Sequence, residues 1–313
     1  FLFLRDGSGF VQAIVERSSV SDSVFQDANN LKMESSVVVN GVVKVEERAP
    51  GGVELLVTDI EVVQIPEKDF PINKPDHSID FLMDNRHLWL RTQRQTHILK
   101  IRHEIIKAVR EFYNDRDFIL VDTPIFTGSI GESAGNTFEI DYFDYGKAYL
   151  AQTGQLYLEA AAMALGKVYN LGPTFRAEKS KTRRHLIEFW MNEAEVAYYR
   201  HEDNIKLQED LVSYVVHRTL ERAGDDLLAI GRDIGKLKKI DPPFPRMTYD
   251  EAIKLLQKKG FTITWGDDIG ADEETAVASE FDKPVVVEKY PKMMKAFYMQ
   301  PDPERPEVVL CDD

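Results

Sequence analysis

The chain has 313 residues, 43% of them apolar and 29% charged, and a net charge of −14, which describes a globular protein long enough for two domains with separate cores. No stretch approaches the roughly 18 apolar residues of a membrane-spanning helix, and the acid excess excludes a general nucleic-acid coat protein while leaving room for a local basic track. Cys311 is the one cysteine, so no internal disulfide is possible and a reducing cytoplasm is the expected location.

From Phe1 to Val63, apolar and polar residues alternate in four short segments: Phe1 to Leu4, Val11 to Val15, Val37 to Val45 and Val53 to Val63. The breaks at Asp6-Gly7-Ser8-Gly9 and Ala49-Pro50-Gly51-Gly52 are hairpin chemistry, and a helix-compatible insertion, Ser21 to Leu31, separates the second segment from the third. Four strands and one helix within residues 1–64 predict a small barrel of the oligonucleotide-binding kind, lacking its first strand. Residues 65–80, with Pro66, Pro71 and Pro75 among charged residues, form a linker. Residues 81–313 make the second domain.

That domain opens on a helix, Thr92 to Asn114, with Ile98, Ile101, Ile105, Val109 and Phe112 on one face. Asp117 to Pro124 reads as a buried strand ended by a proline. Gly128 to Asn136 is a glycine-rich loop without the lysine-ended pattern of a P-loop, followed by a strand from Thr137 to Tyr142. Ala148 to Tyr157 runs from a strand into a helix, with Leu156, Ala160, Met163 and Ala164 expected to face inward.

Val168 to Val196 is two β-prone runs joined by a basic tip, an antiparallel hairpin. Arg176 and Glu178 leave the first run on one face, Glu188 and Phe189 open the second, and Lys179, Lys181, Arg183, Arg184 and His185 lie between. Cations beside an aromatic ring and fixed carboxylates suit a nucleoside triphosphate: cations on the phosphates, Phe189 under the base, and carboxylates for a metal or an amine. Beyond the hairpin come an amphipathic helix, His201 to Arg222, and a capping box, Thr248-Tyr-Asp-Glu251, that opens another. Ala223 to Glu280 reads as an irregular charged insertion. Pro284 to Tyr290, Lys295 to Met299 and Val308 onward read as strands.

Phe175-Arg176-Ala177-Glu178, the basic loop, Arg184-His185-Leu186 and Glu188-Phe189 together resemble motif 2 of the class II aminoacyl-tRNA synthetases, in the aspartyl/asparaginyl branch. The resemblance implies an α+β protein, an OB-type anticodon-binding barrel followed by an antiparallel-sheet catalytic domain flanked by helices. It implies ATP bound by Arg176, Glu178, Arg184, His185, Leu186 and Phe189, with Arg176 as the catalytic residue bridging the amino-acid carboxylate and the α-phosphate. The amino acid is expected at Glu132, Thr153, Gln155, Glu159, Arg176 and Glu193, with Glu132 and Glu193 taking the α-ammonium group. Read without the family, the alternatives are a helix-cap hydrogen bond for Gln155 and a place facing solvent or another helix for Glu159. Phe1 is expected to stack on an anticodon base, with burial in the core or replacement by Phe3 as the other possibilities. Asp313 is the expected magnesium ligand, and the helix, strand and Pro124 resemble motif 1, which implies a homodimer.

The aspartyl enzymes of this branch carry a lysine after Gln-Leu-Tyr, where it pairs with the substrate carboxylate, and here Gln155-Leu156-Tyr157 is followed by Leu158 and Glu159. The resemblance therefore implies asparagine as amino acid and tRNA(Asn) as partner. The alternatives are an aspartyl enzyme, a tRNA-independent paralogue that makes asparagine, and a tRNA binder without catalysis. The chain opens at Phe1 within a strand and stops at Asp313 before the glycine-rich motif 3 of the family, so both ends are expected to be cuts.

Overall fold

The computed structural model describes residues 1–73, 76–128, 137–179 and 186–312. They separate into two units, Phe1–Thr92 and Gln93–Asp313.

The first unit contains β1 (Leu2–Arg5), β2 (Phe10–Ile14), α1 (Asp22–Asn30), β3 (Ser36–Val45) and β4 (Val53–Gln64), the four strands and one helix expected. The sheet order is β1-β2-β4-β3, with β2 and β4 parallel and the other pairs antiparallel. Ser21 caps α1 by accepting from the Val24 amide at 3.3 Å, and Ala13, Val24, Val57 and Ile60 form the core. The β3–β4 register slips at Asn40/Gly41, where any Cβ on Gly41 would strike the Leu56 carbonyl, so the bulge requires glycine. Two short helices, α2 (Ile79–Asp84) and α3 (Arg86–Trp89), complete the unit. Just past α3, the Arg91 carbonyl accepts from Arg5 at 2.6 Å, and Arg5 and Arg91 both donate to Glu34, at 2.8 and 3.1 Å.

The second unit begins with α4 (Gln93–Asn114), followed by β5 (Ile119–Leu120), β6 (Phe126–Thr127), β7 (Glu139–Asp141), β8 (Lys147–Leu150), α5 (Gln155–Leu165), β9 (Lys167–Phe175), β10 (Glu188–Val196) and α6 (His201–Ala229). β9 and β10 pair antiparallel, as do β6, β8 and β7, whereas β5 joins β9 in parallel, so the antiparallel expectation gives way to mixed sheets. Val109, Phe112, Tyr113 and Phe118 pack on Tyr169 and Leu171 of β9. Ile105, expected on the buried face of α4, is exposed.

Other expectations fail as well. The strand around Asp117 to Pro124 shrinks to two exposed residues, Ile119 and Leu120, because it lies at the sheet edge. Helix α5 turns Leu158 and Ala162 inward, against Val168 and Val121, and leaves Leu156 and Met163 exposed, Met163 by 88%; a helix apolar nearly all round carries no periodic signal to choose a face. Lys295 to Met299 forms no strand, and Phe297 is 94% exposed.

The section taken as irregular is ordered: α6 continues past Arg222 through a non-helical Ala223, then come α7 (Ile234–Leu237), β11 (Arg246–Thr248), α8 (Tyr249–Lys258), α9 (Ala271–Ala278) and β12 (Val286–Glu288). β11 and β12 pair in parallel, and Tyr249, Ile253, Leu256, Val277 and Val287 share a small core. The Thr248–Glu251 capping box forms as expected, Thr248 N–H donating to Glu251 at 2.7 Å and Glu251 N–H to Thr248 Oγ1 at 3.3 Å. Val308 onward makes isolated bridges, to Pro291 and Pro301 among others, in place of a strand, since a proline partner lacks the N–H a ladder needs.

Candidate active site

In the β9–β10 hairpin Phe189 lies opposite Thr174, Met191 opposite Gly172, Glu193 opposite Asn170 and Glu195 opposite Val168. Directly opposed residues share a face, so Phe189, Glu193 and Glu195 lie on one side of the ribbon. Arg176 extends the row beyond Thr174. Its amide donates to the Ile187 carbonyl at 2.9 Å, which carries the pairing one step past β9, and its guanidinium stands 5.4 Å from the centre of the Phe189 ring. Arg176, Glu178 and Phe189 are half-buried and Leu186 is exposed. Arg184 and His185 at the tip, Glu132 in the glycine-rich loop and Asp313 lie outside the described residues.

The same face meets the turn between β8 and α5. The Glu193 carboxylate accepts from the Thr153 hydroxyl, and from the Gly154 amide at 3.0 and 2.9 Å. Thr153 Oγ1 in turn receives the Gln155 amide at 3.0 Å. Glu193 thus anchors the turn that presents the predicted amino-acid residues, with carboxylate lone pairs to spare. Gln155 does not cap α5 with its side chain: its Nε2 donates to Glu159 at 2.9 Å, and its Oε1 accepts from the Tyr298 hydroxyl at 3.2 Å. Glu159 is solvent-exposed and still lines a cavity of about 420 Å³ together with Gln155, Glu195, Tyr199, His201 and Tyr298. Leu158, where the aspartyl enzymes place their lysine, is completely buried.

Three participants escaped the sequence reading. Gly154 has ordinary φ, but a Cβ there would lie 2.7 Å from Thr123 Oγ1, 2.9 Å from Glu193 Oε2 and 3.0 Å from Asn170 Nδ2. Gly154→Ala is therefore expected to destabilise the protein by about 1–3 kcal/mol, as overpacking does, seen as a lower urea midpoint; an unchanged midpoint would mean the turn yields freely. Tyr298 reaches the site from far along the chain, which no local pattern announces. Glu195 has its pKa pushed up to about 7 from 4.5, by burial first and then by the charges of Glu159 and Glu193.

The raised pKa fixes a sign. The folded state holds the Glu195 proton more tightly than the unfolded chain, so its stabilising contribution is complete below about pH 4.5 and is lost as pH rises through about 7. The stability difference between the unaltered chain and Glu195→Gln is accordingly expected to move against the unaltered chain over that window in urea unfolding; a pH-independent difference would place Glu195 in ordinary solvent.

In the first unit the Phe1 ring is 88% exposed, which removes it from the core. Phe3 stacks on Phe10 with ring centres 5.3 Å apart, beside a cavity of about 620 Å³ also lined by Arg5, Glu34 and Arg91. Gln12 Nε2 donates to the buried Glu54 at 2.8 Å.

Among the described residues, His201, Glu202 and Glu288 bring ligand atoms within 4.8 Å of one another. They do not fit magnesium, which takes oxygen donors: one is an imidazole bonded to Glu288 at 2.9 Å, and Glu202 already pairs with Arg246 at 2.7 Å.

Residues 78–312 match the family model of class II tRNA synthetases (D, K and N), and residues 1–63 match that of the OB-fold nucleic acid binding domain. The asparagine–tRNA ligase of Chloroflexus aurantiacus is 54% identical over 319 residues, covering all of this chain and 72% of that protein, and that of Symbiobacterium thermophilum is 52% identical with 100% and 73% covered. A crystal structure of asparaginyl-tRNA synthetase from Pyrococcus horikoshii complexed with asparaginyl-adenylate superposes with a TM-score of 0.94 at 47% identity, over all of this chain and 72% of that one.

Proposed function

The chain belongs to the class II tRNA synthetases of the D, K and N group, and from that premise we propose that it activates asparagine with ATP and transfers it to tRNA(Asn). The observation that carries the reading is the single hairpin face bearing Arg176, Phe189, Glu193 and Glu195, joined through Glu193 to the Thr153–Gly154 turn.

The asparagine α-carboxylate attacks the α-phosphorus of ATP, pyrophosphate leaves, and a ribose hydroxyl of the tRNA then attacks the activated carbonyl and releases AMP. The substrates supply every nucleophile, so the protein's part is positioning and charge stabilisation. Arg176 bridges the carboxylate and the α-phosphate, Phe189 and Glu178 hold adenine, and Arg184 and His185 take the outer phosphates. Leu186 flanks the nucleotide, and Glu132 and Glu193 hold the α-ammonium group. Gln155 and Glu159 face the amino acid. Magnesium, held at Asp313, would neutralise phosphate charge.

Asparagine is favoured over aspartate because the pocket wall offers carboxylates, Glu159 and Glu195, and the lysine position is the buried Leu158. An aspartate side chain would enter with no cation to pair with. The non-catalytic reading leaves this ordered row of groups without a use. The proposal places the enzyme in the cytoplasm; no helix among the described residues is long and apolar enough to cross a membrane. It also includes a homodimer through the Pro124 segment, where Ile119, Leu120, Ile125 and Phe126 are exposed.

The anticodon is assigned to the barrel, with Phe1 stacking on a base. Such a stack contributes on the order of 1–3 kcal/mol, so Phe1→Ala should weaken charging of tRNA(Asn) about tenfold while leaving tRNA-independent pyrophosphate exchange intact. Equal loss of both activities would make Phe1 a folding residue. The activity itself is tested by asparagine-dependent ATP–pyrophosphate exchange in the protein carried at its relatives' full length; no exchange with any amino acid would end the enzymatic reading.

A further inference from the structure

Another cavity lies in the same unit, at the other end of β9 from Arg176. Its volume is about 360 Å³ and its walls include Arg116, Asp210, Ser213, Tyr214, His217 and Arg218. The last five fall at i, i+3, i+4, i+7 and i+8 of α6, one helical stripe, and Arg116 follows the C-terminus of α4. Lys167, the first residue of β9, donates to the Arg116 carbonyl at 3.3 Å. Nine residues of strand separate Lys167 from Arg176, roughly 30 Å at 3.3 Å per residue.

The ionic partners within the cavity are unevenly distributed. Asp210 is taken by Lys206 at 2.7 Å, His217 pairs with Asp241 at 2.8 Å, and Arg218 donates to Glu221 at 2.7 Å and to the Tyr214 hydroxyl at 3.3 Å. Arg116 has no carboxylate within ion-pairing distance among the described residues. Its guanidinium lies 3.8 Å from the centre of the Phe112 ring and 5.8 Å from that of Tyr214, with one N–H given to the Phe112 carbonyl at 3.1 Å. The rings and that bond hold the cation in place without neutralising it. Ser213 is only 8% exposed and lines the cavity one helical turn from His217.

We propose that this cavity binds phosphate, with Arg116 and Ser213 as its principal donors. A guanidinium fork can occupy both oxygens of a carboxylate, whereas a tetrahedral phosphate has further oxygens for the Ser213 hydroxyl. Asp210, His217 and Arg218 are each engaged by an ionic partner, which leaves Arg116 as the lining group with charge to offer a ligand. The phosphate comes either from the backbone of a bound tRNA, an arm that rests on the function proposed above, or from a free phosphate ion.

The test is calorimetric titration of this chain with inorganic phosphate at low ionic strength, beside tRNA(Asn) binding between about 50 and 200 mM salt. For a free ion, saturable binding should weaken at least tenfold in Arg116→Met and severalfold in Ser213→Ala, and should persist in Arg176→Met, which removes that cation from the nucleotide site and so separates the two. For a tRNA phosphate, Arg116→Met should make the slope of log affinity against log salt shallower by about 0.7–0.9. Should Arg116→Met not fold, as judged by circular dichroism, Ser213→Ala decides both arms, through weaker phosphate or weaker tRNA binding. Phosphate and tRNA binding identical to the unaltered chain in the folded variants would overturn the proposal.

Discussion

Arg176→Lys is expected to lower asparagine-dependent ATP–pyrophosphate exchange by about 10²–10³-fold, the range found when one preorganised donor to a developing charge is removed. The guanidinium is placed by the strand ladder, through the Arg176 amide and the Ile187 carbonyl, and lies 5.4 Å from the Phe189 ring centre. From there its planar fork can hold two oxygens at once, one on each reactant. A lysine keeps the charge but is a point donor on a flexible stem, so it retains attraction for ATP and loses the alignment. The loss should therefore fall mainly on kcat, with a smaller change in KM for ATP. Exchange at the rate of the unaltered protein would show that the hairpin is not the site of adenylation.

Glu159→Lys is expected to cut the preference for asparagine over aspartate by about tenfold. The substitution changes the pocket wall by two charge units. Unit charges roughly 8 Å apart at an effective dielectric near 20 interact by about 2 kcal/mol, and because Glu159 is exposed solvent screening leaves about 0.5–1 kcal/mol for each charge unit, about 1–2 kcal/mol combined. The change should reach Glu195 as well: with an ammonium group in place of a carboxylate, one cause of its raised pKa is reversed. Selectivity that does not move would remove Glu159 from the amino-acid site and return it to the solvated face of α5.

The hairpin was legible in the sequence because its information is local. A period of two, a basic tip and an Arg-x-Glu step survive without knowledge of the rest of the fold, whereas the register that puts Phe189 opposite Thr174 is set by the folded hairpin. The capping box at Thr248 was legible for the same reason. What stayed hidden depends on distant packing. Helix α5 is apolar on nearly every side, so only its contact with Val168 and Val121 decides that Leu158 is buried and Met163 exposed. The core around Tyr249 closes through Val287 and Tyr290, residues far along the chain, so the apolar face of α8 was visible locally but its partners were not. The raised pKa of Glu195 and the need for glycine at 154 exist only once Glu159, Glu193, Thr123 and Asn170 have been brought together.

Side-by-side ATP–pyrophosphate exchange with asparagine and aspartate at equal concentration, in the protein carried at its relatives' full length, tests the central claim most directly. A pocket walled by Glu159 and Glu195, with Leu158 sealed in the core, should give rapid exchange with asparagine and at least a hundredfold less with aspartate, since an unpaired charge in such a site costs several kcal/mol. Comparable rates, or faster exchange with aspartate, would contradict the assignment.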